Sequence, residues 1–548
     1  MRRGRPKFVI ARVLAAALLV GAAAGCAAVL GFEDTTLRTD TTADGGMMET
    51  GPIGEGGTTT DGGTHFSAKP TALVLRRGGT VDLEVDLARG TDVTGSVTAH
   101  LAGLPSGVTA TTATLAPTSS TGTITLSAAA KAALGSSALT LSADGTALAP
   151  LAISLLVADP AGSLDVTFDM DGLVSDSTKG LGSTFFALGV QSDQKIVAGG
   201  AGGPGGATPP SGWLLRRFAA NGAADAPFDT LAGAVGIPTD GAIRALAIMA
   251  NGSIVCAGES TAMAAPKPQL TLMRFTAAGK IDPTFGGGIV RLPAAEAAGG
   301  SIGLGVVVDP TGAVVVVGSR KDILNTESGI ITRFKADGTR DATFNGGTTV
   351  DIANVRFVGV SLESSAIVAG GSTITGALPS YFITRRTAIG ANDPTFGTAG
   401  SAAFGNTYRA NAFARLGDGT LAVVGDVQSG SAGYTAGFIT MQGNSPFART
   451  YANAASAGFF GIGVQADGRI IAAGHTAVVN GEARVQRILP DGNKDLSFND
   501  GGTVLIEPPG GIPNFDVTLF AAAVQVDGRI LTAGNRTTTG AVIYRLWP

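Results

Sequence analysis

Chemistry-bearing residues are scarce in this sequence. Among 548 residues there are 2 cysteines, 3 histidines and 2 tryptophans, and only 15% of the chain is charged. His65, His100 and His475 fall in three separate regions, which leaves no imidazole cluster of the kind a zinc site requires. Beyond the N-terminal Cys26, Cys256 is the one remaining thiol, and it reads as a buried, inert residue of a strand. Trp213 and Trp547 are too few for the aromatic platforms usual in sugar binding. Beyond the N-terminal segment no stretch clusters Lys and Arg, so in the mature chain the counterion release that drives nucleic-acid binding has no source. No catalytic, cofactor-binding or metal-ligating residue is assigned.

Glycine and proline are plentiful, at 82 and 25 residues. With so little charge they exclude long amphipathic helices and predict an all-β chain of short strands and many turns. The length calls for two or three domains.

Residues 1–25 carry Arg2, Arg3, Arg5, Lys7 and Arg12, no acid, and an uncharged run from Val13 to Ala24 that is too short to span a bilayer as a helix. Without those five bases, 33 basic residues face 42 acidic ones, a net charge of −9. Ala23-Ala24-Gly25-Cys26 resembles the lipobox of bacterial lipoproteins, although Ala23 stands where that motif usually has Leu. The resemblance implies a signal peptide over 1–25, acylation of Cys26 and a lipid anchor. By the same resemblance Ala27 favours the outer membrane, so the expected location is the cell envelope. An ordinary secretory signal or an uncleaved anchor is the alternative reading. Residues 26–65 read as a tether; positions 41–64 hold seven Thr and eight Gly, and such a coil reaches roughly 27 Å root-mean-square.

Over 66–158 the pattern becomes one of strands. Val81 to Leu87 alternates apolar and polar residues, as a strand with one buried face must. Further strands are expected at Val97–Leu101, Thr123–Leu126, Ala138–Leu141 and Leu151–Val157, and about seven in this span predict a β-sandwich. Gly103 to Ala110, GLPSGVTA, resembles bacterial Ig-like domains, most of which are spacers. His100 lies on a predicted strand and reads as packed or solvated.

From 163 to 548 a motif exemplified by VQVDGRILTAG, Val524–Gly534, recurs seven times. Its closing glycines are Gly199, Gly258, Gly318, Gly370, Gly425, Gly474 and Gly534, spaced 49 to 60 residues apart, a period suited to one small sheet per repeat. A second signature is an Arg, an Asp eight residues later and a Phe three beyond that. It occurs as Arg217/Asp225/Phe228, Arg274/Asp282/Phe285, Arg333/Asp341/Phe344, Arg385/Asp393/Phe396 and Arg487/Asp495/Phe498. Arg545 lacks its Asp at the C-terminal end, and Asp165 with Phe168 lacks its Arg at the other. Joining them closes a ring, which predicts a seven-bladed β-propeller sealed by pairing of its N- and C-terminal strands. In the fifth repeat Met441, Arg449 and Ala452 replace the triple.

These signatures resemble the delta-60 repeat family of bacterial secreted proteins, which brings no catalytic residues to transfer. The recurring Arg and Asp are expected to be structural, each pair hydrogen-bonded beside a Phe that plugs two blades together. Each blade should have four strands, a to d, with Asp-Gly pairs such as Asp467-Gly468 making two-residue a–b hairpins. Binding is expected where the loops vary, at the b–c and d–a connections, with Arg320 and Lys321 among the charged loop residues. Asp169-Met170-Asp171-Gly172 reads as a turn and not a calcium loop. The whole describes a monomeric envelope lipoprotein whose propeller, on an Ig-like stalk, binds a protein or polysaccharide without catalysis. The alternative is a propeller hydrolase or lyase acting on an extracellular polymer, for which Glu259, Glu327 and Glu482 supply carboxylates.

Overall fold

The computed structural model describes residues 25–26, 63–91, 93–144, 148–176, 183–202, 212–225, 228, 237–261, 267–296, 298–374, 379–405, 408–428, 434–442, 445–450, 458–476, 481–499, 501–506 and 517–548. Among these residues there is no α-helix, only strands and a few single 3-10 turns. None of the described segments is a helix long and apolar enough to cross a membrane. Most of the tether, 27–62, lies outside the described residues.

The first domain has two sheets. His65–Lys69, Thr80–Ala88, Thr121–Ala128 and Val108–Ala110 form one, and Ala72–Arg76, Leu151–Ala158, Gly135–Ala143, Val97–Ala102 and Ala113–Leu115 form the other. Alternation decides the packing: Leu83, Val85 and Leu87 are buried while Asp82 and Glu84 are exposed, and the buried set meets Leu139, Leu141, Ile153 and Leu155 from the facing sheet. Nine strands are present instead of about seven, because Val108–Ala110 and Ala113–Leu115 are short additions to the sheet edges. His100 is half-buried, within 3.3 Å of the Ser142 hydroxyl.

Seven further sheets follow in sequence order. Each runs antiparallel from an inner strand a outward, as in Ser301–Val308, Val314–Lys321, Glu327–Phe334 and Val350–Ala353 of the third. The inner strand of each sheet packs on that of the next, and the seventh, Val517–Val524, packs on the first, Thr184–Val190. The seventh sheet draws its outer strand, Leu173–Asp176, from the start of the region; it pairs antiparallel with Gly540–Leu546 from the end, Leu173 opposite Tyr544.

The a–b connections differ from expectation. In repeat six the Gln465 N–H donates to the Arg469 carbonyl and the Gly468 N–H to the Gln465 carbonyl, which makes a three-residue loop closed by Gly468 at φ 80°. The Asp467 carboxylate accepts the Arg469 N–H at 3.0 Å, so Asp stabilises the turn by capping it while Gly supplies the positive φ. In the fifth sheet the outer strands Tyr434–Gln442 and Ser445–Thr450 pair directly from Gly437 opposite Thr450 to Gln442 opposite Ser445. A direct hairpin therefore replaces the longer c–d turn in the repeat that lacks the Arg and Asp.

Candidate functional site

The second signature builds the joints between sheets. Arg217 Nε lies 2.8 Å from Asp225 Oδ2, Arg274 2.7 Å from Asp282, Arg333 3.3 Å from Asp341, Arg385 3.1 Å from Asp393 and Arg487 2.8 Å from Asp495. Arg545 completes the set against Asp165 at 2.8 Å. The other carboxylate oxygen of most of these aspartates accepts both the N–H and the hydroxyl of a Thr or Ser two residues on, as Asp282 does from Thr284 at 3.0 and 2.6 Å. One carboxylate thus closes its own turn and orients its arginine. The guanidinium then reaches onward: Arg274 Nη1 donates to the Ala336 carbonyl at 2.6 Å and Arg333 Nη1 to that of Ala388 at 3.0 Å, both in the following sheet. Arg545 makes the same bond to Ala220 of the first sheet. The guanidinium carbon of Arg217 sits 4.3 Å from the centre of the buried Phe228 ring, and Arg545 lies likewise 4.6 Å from that of Phe168. A Cβ on Gly279, in the next turn, would stand 2.3 Å from Phe228, so the phenylalanine fills the joint. The recurring residues serve construction.

The opening motif also has a steric task. Every inner strand carries a β-bulge, and each bulge begins opposite the motif's last glycine or, in repeats one and four, the glycine after it. At Gly425 a Cβ would lie 1.8 Å from the Arg409 carbonyl oxygen, and at Gly474 1.9 Å from that of Gly458. Only glycine fits there. A bulge adds one residue to one strand and re-aims its side chain. The bulged residues are Phe186, Arg244, Leu304, Val358, Asn411, Phe460 and Phe520.

Four of them, from consecutive sheets, touch in series on the innermost strands. The rings of Phe460 and Phe520 are 5.8 Å apart and those of Phe520 and Phe186 5.2 Å apart. The Arg244 guanidinium lies 4.4 Å from the centre of Phe186. His475 stacks on Phe460 at 5.2 Å with 16° between planes. The three phenylalanines are only partly buried. Because each bulge falls near the start of strand a and His475 ends a strand b, the arc lies at the end of the sheets from which the variable loops spring.

Arginine and carboxylate pairs flank the arc. Arg244 holds Glu259 at 2.8 Å and the Glu259 backbone carbonyl accepts the Trp213 indole N–H at 2.9 Å. Burial pushes the Glu259 carboxyl up, against the pull of Arg244, and nearby Asp240 adds to the rise. Arg356 pairs with Glu327 at 2.7 Å, and Arg409 Nε with Asp426 at 2.9 Å. Asp426 is likewise raised by burial, opposed by Arg409 and Asn411. Of the three glutamates singled out from sequence, Glu259 and Glu327 are thus matched to separate arginines, and Glu482 lies just before strand Ala483–Ile488 with its N–H donated to the Thr476 hydroxyl.

Arg320 is a strut, with Nε 2.7 Å from Asp351. Its hairpin is folded over Asp322, which accepts the Leu324 and Thr326 N–H groups, both at 2.8 Å. The variable segments 203–211, 262–266, 429–433 and 507–516 lie outside the described residues. Trp213 and Trp547 are buried, the latter beneath Arg529 at 4.5 Å. Asp169 and Met170 both take positive φ in a turn, with Asp171 accepting the Leu173 N–H at 2.9 Å. No group of three metal-ligating side chains occurs among the described residues. Gly25–Cys26 forms a two-residue strand, parallel to Ala412–Phe413 and among the inner strands of the sheets.

Three stretches, residues 250–285, 310–344 and 465–498, match a family described as a β-propeller domain of unknown function (DUF5122). Each match ends on the Phe of an Arg/Asp/Phe triple. No curated protein matches the chain. Among solved structures it is similar to the β-propeller domain of the trilobed protease of Pyrococcus furiosus, at 8% identity over 54% of this chain and 92% of that one, with a TM-score of 0.30. It is also similar to an ulvan lyase of polysaccharide lyase family PL25, at 9% identity over 71% and 94% with a TM-score of 0.35. A third is Sqt1 of Chaetomium thermophilum bound to the N-terminus of a ribosomal protein, at 12% identity over 67% and 98% with a TM-score of 0.33. The protein is all-β, and its repeats are those of a β-propeller.

Proposed function

We propose that the chain is a cell-envelope lipoprotein whose closed, seven-bladed, delta-60-like propeller is a non-enzymatic binding module for a protein or polysaccharide, carried on an Ig-like stalk. The observation that carries the binding role is the arc of bulged side chains: three partly exposed phenylalanines in contact, at the end of the sheets where loops vary. Partly exposed aromatic clusters with polar borders are what interaction sites are made of. Pairing of the nearby carboxylates with separate arginines supports binding over hydrolysis, since a glycosidase needs two carboxyl groups flanking one bond. In this reading the Gly25–Cys26 strand belongs to the precursor: cleavage before Cys26 and acylation of its thiol would withdraw it to the outer membrane.

Two measurements test this. Mass spectrometry of the mature N-terminus should find a diacylated or triacylated Cys26, and Cys26→Ser should release the protein from membranes; an unmodified Cys26 sinks the anchor. Incubation with envelope polysaccharides should retain polymer or protein without generating new reducing ends or unsaturated products. Turnover of any polymer would replace this reading with the hydrolase or lyase.

A further inference from the structure

We infer that the arc is a subsite for a neutral saccharide unit, its C–H face laid against Phe520 and its hydroxyls bonded by the Arg244–Glu259 pair. The inference rests on the binding-module reading and names the ligand class for it. The geometry points to a guest with two unlike surfaces. Phe460, Phe520 and Phe186 form one continuous apolar run with ring centres 5.8 and 5.2 Å apart and each ring tilted 59° to the next, so that each offers a separate face about the size of one six-membered ring. Arg244 lies over Phe186 at the end of that run, and its bidentate contact with Glu259 at 2.8 and 3.2 Å holds both groups in fixed orientation. A guanidinium and a carboxylate side by side present donors and acceptors together, which suits vicinal hydroxyls, each both donor and acceptor.

Charge decides between saccharide classes. Arg244, Arg356 and Arg409 around these strands are each neutralised by a carboxylate, at 2.8, 2.7 and 2.9 Å. An anionic polymer would have to compete with Glu259, Glu327 and Asp426 for arginines they already hold. A neutral, hydroxyl-rich ring displaces nothing. His475, stacked on Phe460, extends the run with a polar edge, as a neighbouring sugar would require.

The test uses the purified mature chain with three neutral probes, cellohexaose, maltohexaose and chitohexaose, plus hexagalacturonate, followed by saturation-transfer NMR and calorimetry. At least one neutral hexasaccharide is expected to bind, with saturation passing to its ring C–H protons. Phe520→Ala should weaken that affinity about tenfold, Glu259→Gln should weaken it as well, and Phe520→Tyr should retain it. The thermal midpoint of each variant, compared with the parent, separates lost binding from lost folding. Hexagalacturonate binding more tightly than every neutral probe would overturn the inference, as would neutral binding indifferent to Phe520→Ala. If no saccharide binds but an extended peptide probe does, and Phe520→Ala abolishes it, the saccharide class is wrong while the binding module survives. If the chain degrades a probe, it is the binding-module reading that fails.

Discussion

Asp165 and Arg545 come from opposite ends of the repeat region, yet Arg545 Nε lies 2.8 Å from Asp165 Oδ2 with both side chains buried. A second cation shares the same carboxylate, Arg529 at 2.9 Å. Repeat six is built alike, with Arg469 and Arg487 at 2.9 and 2.8 Å from Asp495. This seam between the two ends of the repeat region is chemically the same joint as the other Arg–Asp junctions.

The shared carboxylate sets an asymmetry. Asp165→Ala leaves the buried Arg545 guanidinium without its anion, while the half-buried Arg529 keeps Asp527, and should cost about 3–5 kcal/mol. Arg545→Ala leaves Asp165 still paired with Arg529 and should cost distinctly less. Urea unfolding of the two variants checks this; equal losses would show that the seam does not depend on the carboxylate.

Glycine position matters more than glycine number. Gly534→Ala would put a Cβ 1.8 Å from the Thr518 carbonyl oxygen, whereas a Cβ on Gly417 meets nothing within 4 Å. The first substitution should cost about 3 kcal/mol or more, through overpacking against backbone, and the second should stay within about 0.5 kcal/mol. Thermal midpoints of the two variants side by side give the answer.

Acid should loosen the joints. At Asp282 burial raises the carboxyl, but the Thr284 hydrogen bonds and Arg274 outweigh it and hold the group below its ordinary value. At Asp393 the Thr395 hydrogen bonds dominate and lower it. A carboxylate lowered by folding contributes stability that is complete above the ordinary carboxylate range and lost as pH falls through that range toward the folded value. Asp282→Asn should therefore be less stable than the parent at pH 7 and converge with it in acid. A gap that persists unchanged below about pH 2 would contradict the linkage.

Cys256 is fully buried in the second sheet. In a Cys26→Ser background, a thiol reagent such as Ellman's should find no reactive group in the native chain and one per chain in denaturant.

The triples were legible because their residue types are fixed by function in the joint: an acid, a guanidinium and a ring at set intervals. The motif glycines were equally visible, but their purpose was not. What a glycine at Gly474 makes possible is a bulge on the neighbouring strand, and the bulged residue varies from Phe460 to Asn411 to Arg244 among repeats. Such a position leaves no recurring letter, and the apolar residues around it hide the break in alternation. Three separated phenylalanines therefore gave no hint of an aromatic arc. The turn chemistry was half readable: Asp-Gly marked the hairpin, while loop length depended on the Gln465 and Arg469 backbone bonds.

The Gly162 N–H donates to the Trp547 carbonyl at 2.9 Å, so the two ends of the repeat region lie side by side. Repeats whose two ends are joined by hydrogen bonds and one shared carboxylate have no obligatory first sheet. The repeat region could be opened at another c–d turn and its present ends joined by a short linker, giving circular permutants in which the first domain is attached at a different sheet. As the chain stands, Phe520 belongs to the sheet that joins the two ends of the repeat region. Moving that joint would change which sheet adjoins the chain ends without changing a side chain of the aromatic arc.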